Sequence, residues 1–205
     1  MPRQCEISAL ILDREPRANN ALMLSALSRE RGLVFLFKKM SAKKTSIAPD
    51  LFEEISALAQ MPTMAEETAP VFFISEFDSV KSRRDISTSY EKLKTASQIA
   101  DMVKSNGTDM GETAAMFDFV SKALDSIASS RNLDAVRLKF IYLLAKAQGY
   151  PVREDFFRRL SPSDRNGFCL MLKTPSAELG GQLEEARRLL DMLTRWTLEN
   201  TDIVL

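Results

Sequence analysis

A group of basic residues lies close to two phenylalanines in the first quarter of the chain. The basic residues are Arg29, Arg31, Lys38, Lys39, Lys43 and Lys44. Phe35 and Phe37 lie between them, on a segment whose residues favour strands. Lysine and arginine neutralise phosphates and aromatic rings stack on bases, so this combination is typical of a groove for single-stranded nucleic acid. Because Phe35 and Phe37 share one face of their strand, however, we expect both rings to belong to the core.

The charge of the chain is unevenly distributed. The whole chain carries 28 basic and 28 acidic residues and sums to zero. Residues 1–44 nevertheless total +5, and residues 45–80 total −7. A concentrated cationic segment attracts a polyanion through its local field even when the net charge is zero. We therefore expect phosphate contacts from the basic residues between 29 and 44. The alternative is that each charged segment is a solvated face, which holds for most such runs.

Two further basic segments follow, at residues 81–94 and 136–173. Arg83 and Arg84 in the first are secondary candidates for phosphate contact. In the second, Phe156 and Phe157 are flanked by basic residues. These are Arg153, Arg158 and Arg159. The pattern fits a pocket for an acidic, apolar peptide, with arginine for the carboxylate and phenylalanine for the side chain. A helix start with arginine stems over apolar surface explains it equally simply, and we favour that interpretation.

The composition argues against several classes of function. Histidine is absent, and Cys5 and Cys169 are isolated. These two facts remove the Ser-His and Cys-His nucleophile pairs and the usual zinc ligands. There is no Gly-rich phosphate loop and no EF-hand spacing. We therefore expect no catalytic residue, no metal, no cofactor and no enzymatic activity. A nuclease built on carboxylates and a metal ion is a remote alternative.

Nothing in the sequence predicts a membrane protein or a secreted one. No apolar run approaches the ~18 residues of a membrane helix. The first residues are polar and lack the apolar region of a signal peptide. We expect a cytoplasmic protein with reduced thiols and no membrane association.

The first 80 residues predict strands and the rest predicts helices. Strands are expected at 6–12, 33–39 and 71–77. Segments 21–31 and 51–59 are ambiguous, since their propensities favour helix but their lengths also suit strands. Helical periodicity then predicts five helices, at about 87–102, 112–130, 132–149, 163–173 and 180–199. The predicted domains are 1–80 and 81–205, in an α+β protein.

Several segments in one order are similar to those of the RecO family of recombination mediators. They are the strand Ala9–Leu12 with the turn after it, the segment Leu24–Leu33 with its Arg-Glu-Arg-Gly element, the basic stretch Lys38–Lys44, and the helix Phe140–Tyr150 with its Gln-Gly-Tyr end. The resemblance covers nearly the whole chain.

The resemblance implies an N-terminal OB-fold β-barrel followed by an all-helical domain. Segments 21–28 and 51–58 would then be strands. It also implies binding and annealing of single- and double-stranded DNA in repair and recombination. The implied protein partners are the acidic tail of single-stranded-DNA-binding protein and RecR. Through them the mediator would help to load RecA onto strands coated by single-stranded-DNA-binding protein.

Two departures from the family pattern stand out. The segment Pro151–Phe156 lacks the cysteine pair that many members use for zinc, so the chain resembles the zinc-free members. The basic stretch has lysines where the family has Gly and Arg, and lysine cannot form the two-pronged phosphate contact of arginine.

The alternative to a DNA-binding mediator is a protein–protein adaptor, in which an OB-like platform and a helical peptide-binding domain act without touching DNA.

Overall fold

Strands make up the N-terminal part of the computed structural model, which describes residues 3–40, 47–61, 71–107 and 112–205. They are β1 (Arg3–Arg17), β2 (Ala21–Ser28), β3 (Gly32–Lys39), β4 (Glu54–Met61) and β5 (Val71–Lys81). Both ambiguous segments therefore contain strands, as the resemblance implied. Gly32 begins β3 with φ of +72°, a conformation that only glycine adopts at little cost.

The strands close into a barrel in the order β1-β2-β3-β5-β4. The long β1 pairs with β4 through its first half and with β2 through its second half, and its register with β2 shifts between Ile11 and Asp13. All pairs are antiparallel except β3 with β5. A five-stranded closed barrel of this kind is an OB-type barrel.

The barrel interior is filled by every second residue of each strand. Its fully buried members include Ile7, Ala9, Ile11, Leu24, Ala26, Leu36, Ala59 and Phe72. Small alanines and larger branched or aromatic residues alternate around the interior, as a narrow barrel requires. This period-2 packing overrides the helical propensity of β2 and β4.

The rest of the chain is helical. The helices are α1 (Arg84–Ser87), α2 (Tyr90–Asn106), α3 (Thr113–Ser129), α4 (Leu133–Ala147), α5 (Phe156–Arg159), α6 (Pro162–Lys173) and α7 (Leu183–Asn200), with a 3-10 turn at Ser176–Glu178. An OB-type barrel followed by an all-helical region is the predicted fold class, which is thus confirmed. None of the helices within the described ranges combines the length and the apolar character needed to cross a bilayer.

The chain groups into two compact units. One contains the barrel strands together with Glu112–Ser121, and the other contains the remaining helical residues. The first part of α3 thus packs with the barrel although it follows α2 in the chain. The predicted boundary near residue 80 stays a prediction.

Candidate nucleic-acid interface

The outer surface of the barrel carries the aromatic residues that the sequence had assigned to the core. Along β3, Val34 and Leu36 point inward, whereas Phe35 and Phe37 point outward and are only half-buried. The prediction of a core position for the two phenylalanines was therefore wrong. A period of two shows that residues 35 and 37 share a face, but it does not show which face is buried.

A third aromatic residue extends this surface onto the neighbouring strand. Phe73 lies opposite Phe37, and it is 51% exposed. The two ring centroids are 5.8 Å apart, with the planes inclined at 39°. On the other side of Phe37, the cross-strand neighbour is the half-buried Met23. We call these four residues, Met23, Phe35, Phe37 and Phe73, the aromatic face.

Sequence reasoning missed Phe73, because four consecutive apolar residues do not show which of them face inward. In Val71-Phe72-Phe73-Ile74 the residues at 72 and 74 fill the barrel interior. Strict alternation therefore places residue 73 on the opposite surface. A large aromatic side chain that alternation places outside is more informative about binding than a buried one.

Two cations lie beside the aromatic face. Lys39 and Arg17 flank Ala21 in one cross-strand row, so both lie on the outer surface at the same end of the strands. Lys39 is exposed. Arg17 forms an ion pair with Glu15 at 2.8 Å, with both side chains about half exposed. An exposed pair of this kind contributes little free energy, so Arg17 can exchange its partner for a phosphate at small cost.

Lys38, by contrast, points into the barrel. It is 8% exposed, and its Nζ donates a hydrogen bond to the backbone oxygen of Ser75 at 3.2 Å. The β4–β5 register shifts at Ser75, which has no opposite residue on β4. The lysine thus satisfies a carbonyl at this irregular point of the barrel. Its ammonium also lies 5.1 Å from the ring centroid of Phe77.

The burial of Lys38 changes its titration. Desolvation of the ammonium lowers the pKa of Lys38 from its ordinary value of 10.5, and the nearby charge of Glu76 opposes this effect. A partly desolvated amine with an internal partner is a structural group of the barrel. Lys38 is therefore a poor candidate for contact with a phosphate.

The two arginines predicted beside these lysines lie at the opposite end of β3. A strand rises ~3.3 Å per residue, which separates Arg31 from Lys39 by roughly 26 Å. Arg29 forms an ion pair with Asp118, and its guanidinium lies 4.8 Å from the ring centroid of Phe117. Arg31 is exposed, with its guanidinium 5.3 Å from the Phe72 centroid. The structure therefore divides the predicted cluster between two ends of the barrel.

The secondary candidates differ from each other. Arg83 is buried, forms an ion pair with Glu54 and donates to the backbone oxygen of Phe52 at 2.9 Å. It also donates to Ser121 Oγ at 2.8 Å, so it joins the start of β4 and the residue Phe52 before it to α3. Arg84 is exposed at the start of α1. Lys43 and Lys44 lie outside the described residues.

The outer surface of β1, β4 and β5 has the opposite charge. A groove of about 240 Å³ there is lined by Glu6, Glu76 and Asp78 together with Ser56 and Phe77. In the described ranges no group of three or more acidic residues or cysteines has a geometry that could hold a metal ion. A polyanion would be repelled from this groove, which leaves the aromatic face as the favourable side of the barrel.

In the helical unit, the predicted peptide-binding phenylalanines are core residues. Phe156 and Phe157 are buried, and each has its ring centroid within 5.5 Å of that of Phe168. Phe156 also contacts Trp196, whose indole donates to the Asp155 carboxylate at 2.9 Å. That hydrogen bond, together with Arg159 at 2.9 Å, lowers the pKa of the Asp155 carboxyl. All three arginines are exposed, but Arg159 is already paired, whereas the side chains of Arg153 and Arg158 form no ion pair or hydrogen bond with a described residue.

Arg153 lines a different opening. A groove of about 410 Å³ lies where α4 ends, and its walls include Tyr142, Lys146, Tyr150 and Arg153. Two aromatic rings and two cations, against the single carboxylate of Glu154, are suitable for an apolar side chain next to a carboxylate. Arg153, predicted to act with Phe156 and Phe157, thus lies beside two tyrosines instead, and its contact with a peptide stays a prediction.

No model of a known protein family matches this chain, and no curated protein has a significantly similar sequence.

Proposed function

We propose that this chain is a DNA-repair and recombination mediator of the RecO kind, which binds and anneals DNA on the aromatic face of its barrel. The observation that carries the proposal is the exposed pair Phe37 and Phe73 on an OB-type barrel, with Lys39 and Arg17 beside it. Stacking of a base on an aromatic ring contributes ~1–3 kcal/mol and tolerates every base. A sequence-independent function is consistent with such a surface.

The arrangement favours single strands over duplexes. In a duplex the bases are stacked on one another, so their faces cannot reach a protein ring. The aromatic face would therefore contribute only to single-strand binding, while Lys39, Arg17 and the exposed Arg31 would contact phosphates of either form. An annealing protein must hold single strands with their bases accessible and then release the duplex. Because only single strands gain the stacking contacts, the surface would bind them more tightly than the duplex.

The proposed protein partners use the helical unit. The acidic tail of single-stranded-DNA-binding protein would bind the groove of Tyr142, Lys146, Tyr150 and Arg153, with a carboxylate at the cations and an apolar side chain between the rings. RecR, and through it the loading of RecA, remain partners proposed from the family resemblance alone.

The salt dependence of binding tests the contribution of the cations. We expect Arg17→Ala with Lys39→Ala to weaken binding of a fluorescent oligothymidine, measured by anisotropy across a salt series. The slope of log affinity against log salt should fall by about 0.7 per lost phosphate contact, hence by roughly 1.4 for the pair. Lys122→Ala with Lys173→Ala removes the same charge from exposed positions of the helical unit and should leave the slope unchanged. Equal slopes for all three proteins would contradict the assignment of these cations.

One observation favours the adaptor as a second candidate. Arg29, Lys38 and Arg83 have internal partners, so fewer cations are available than the sequence suggests. If the chain is an adaptor, the oligonucleotide will not bind even at low salt, while a peptide with an acidic, apolar end will. Binding of the oligonucleotide with the predicted salt slope excludes an adaptor that never contacts DNA.

A further inference from the structure

A second groove in the helical unit combines cations and carboxylates. It has a volume of about 510 Å³, within the ~300–1,000 Å³ usual for small-molecule sites. Residues of α2, of the start of α4 and of the start of α7 form its walls. Its cations are Lys94, Arg131, Arg137 and Arg187, and its carboxylates are Glu91, Asp134 and Glu184. The proposed mediator function uses none of them.

Three of the four cations have no partner in the part of the chain that the structure describes. Arg187 reaches Asp134 at 3.4 Å, but Lys94, Arg131 and Arg137 form neither an ion pair nor a hydrogen bond there. Basic side chains without a described partner also occur elsewhere in the same unit, for example Lys122 and Arg195. What favours an anion here is the convergence of three such cations on one groove.

The groove also holds a buried donor without an acceptor. Arg137 Nε is buried and is not hydrogen-bonded to any described residue. Leaving such a group unsatisfied incurs its full desolvation penalty, so buried unsatisfied donors are rare. The nearby start of α7 has a similar deficit, because its N-cap residue Gln182 provides no side-chain hydrogen bond to the first turn. An anionic oxygen in the groove would accept hydrogen bonds from Arg137 Nε and from the backbone N–H groups in the first turn of α7.

The carboxylates restrict the class of anion. Four cations against three carboxylates leave the groove only weakly positive, which disfavours a long polyanion. Glu91 and Glu184 accept hydrogen bonds, so they suit a ligand that carries hydroxyl or amino donors besides its anionic group. Arginine pairs well with phosphate because its planar donors match two phosphate oxygens.

We propose that this groove binds a nucleoside monophosphate, with the phosphate held by Lys94, Arg131 and Arg137 and the donors of the nucleoside directed to Glu91 and Glu184. The site is separate from the aromatic face. Failure of this proposal would therefore leave the proposed DNA binding intact, and the reverse also holds.

Isothermal titration calorimetry with AMP tests the site in the full chain. We expect saturable one-to-one binding of AMP, and at least about tenfold weaker binding of adenosine, since adenosine lacks the phosphate and its charge-assisted hydrogen bonds. Lys94→Gln and Arg131→Gln should each weaken AMP binding by about tenfold or more. Both residues are exposed, so neither change should impair folding, which the melting temperature checks. Arg195→Gln, an exposed change on α7 outside the groove, should have no effect.

Several results would overturn the proposal. One is the absence of AMP binding up to about 10 mM, a concentration that would detect interactions as weak as ~−3 kcal/mol. Adenosine binding as tightly as AMP, or Lys94→Gln and Arg131→Gln both binding AMP like the unmodified chain, would also contradict it. If these two variants lost oligothymidine binding but kept AMP binding, the cations would serve a nucleic-acid backbone instead.

Discussion

Lys38 illustrates how the surroundings of a residue decide its role. In the sequence it is one of several lysines beside aromatics, and so a natural candidate for phosphate contact. In the barrel it is the inward member of the Lys38–Lys39 pair, hydrogen-bonded to the Ser75 carbonyl. Only Lys39 is exposed. Alternation along β3 places one of two adjacent lysines inside, but only the pairing of all the strands in the barrel determines which of the two it is.

The lowered pKa of Lys38 predicts a dependence of stability on pH. Because the folded state lowers this pKa, the unfolded state binds more protons at pH values between the lowered pKa and 10.5. The free energy of unfolding should therefore rise with pH through that window. Lys38→Met, which has no titrating group there, should lose this contribution, whereas Lys39→Met should keep it. Urea denaturation of the three proteins at a series of alkaline pH values measures the effect, and parallel curves for the parent chain and Lys38→Met would contradict it.

The aromatic face marks the limit of inference from single residues. The combination of cations with Phe35 and Phe37 suggested a binding groove, and their shared face suggested a core. Pattern alone could not choose between these interpretations, because β3 has apolar residues on both of its faces. The pairing of Phe37 with Phe73 could not be read from the sequence either, since it depends on the parallel register of β3 and β5.

At the scale of elements, long helices were predicted best. The helices α3, α4 and α6 begin and end within two residues of their predicted limits, and α2 and α7 within four. Periodic apolar residues, caps and stops all act locally there. The strands β2 and β4 could not be identified from local propensity, because their alanines, leucines and glutamates favour helices and only closure of the barrel makes them strands. The single turn α1 was not predicted, whereas α5 lies where the favoured interpretation of the Phe156-Phe157 segment expected a helix start.

The cap of α4 provides a test at this scale. Asn132 is fully buried, accepts from the Ala135 amide at 3.0 Å and donates to the carbonyl of Leu179 at 2.8 Å. Asn132→Ala removes the cap and leaves buried backbone groups unsatisfied, so it should reduce the free energy of unfolding by about 2–4 kcal/mol. Ser161→Ala removes the exposed cap of α6 and should cost only about 1 kcal/mol. Chemical denaturation compares the two, and equal losses would contradict the added role of burial.

At the scale of the whole molecule, charge in the sequence is a poor guide to charge at a surface. The basic segment 29–44 looked like one cluster. In the barrel its described members are Arg29 and Arg31 at one end and Lys38 and Lys39 at the other, with Arg29 and Lys38 held by internal contacts. Arg17, which lies well before that segment, comes into the same row as Lys39. Strand pairing thus assembles the candidate site from residues that are distant in the chain.

The fold class follows from the sequence, whereas the site requires the structure. Strand-like segments followed by periodic helices indicate an α+β chain, and the closed barrel is an expectation from the resemblance to the RecO family. The register of the strands determines which side of the barrel is aromatic and cationic and which side is acidic. That contrast between two sides gives the proposed function its physical basis.

The central claim is that bases of a single strand stack on Phe37 and Phe73, and anisotropy of a labelled oligothymidine at low salt tests it most directly. We predict that Phe37→Ala with Phe73→Ala binds at least about tenfold more weakly, with an unchanged salt slope, because stacking is lost while the cations remain. Tyr90→Ala removes a 74% exposed ring from the helical unit and should bind like the parent chain. An affinity of the folded double variant within about twofold of the parent would contradict the claim.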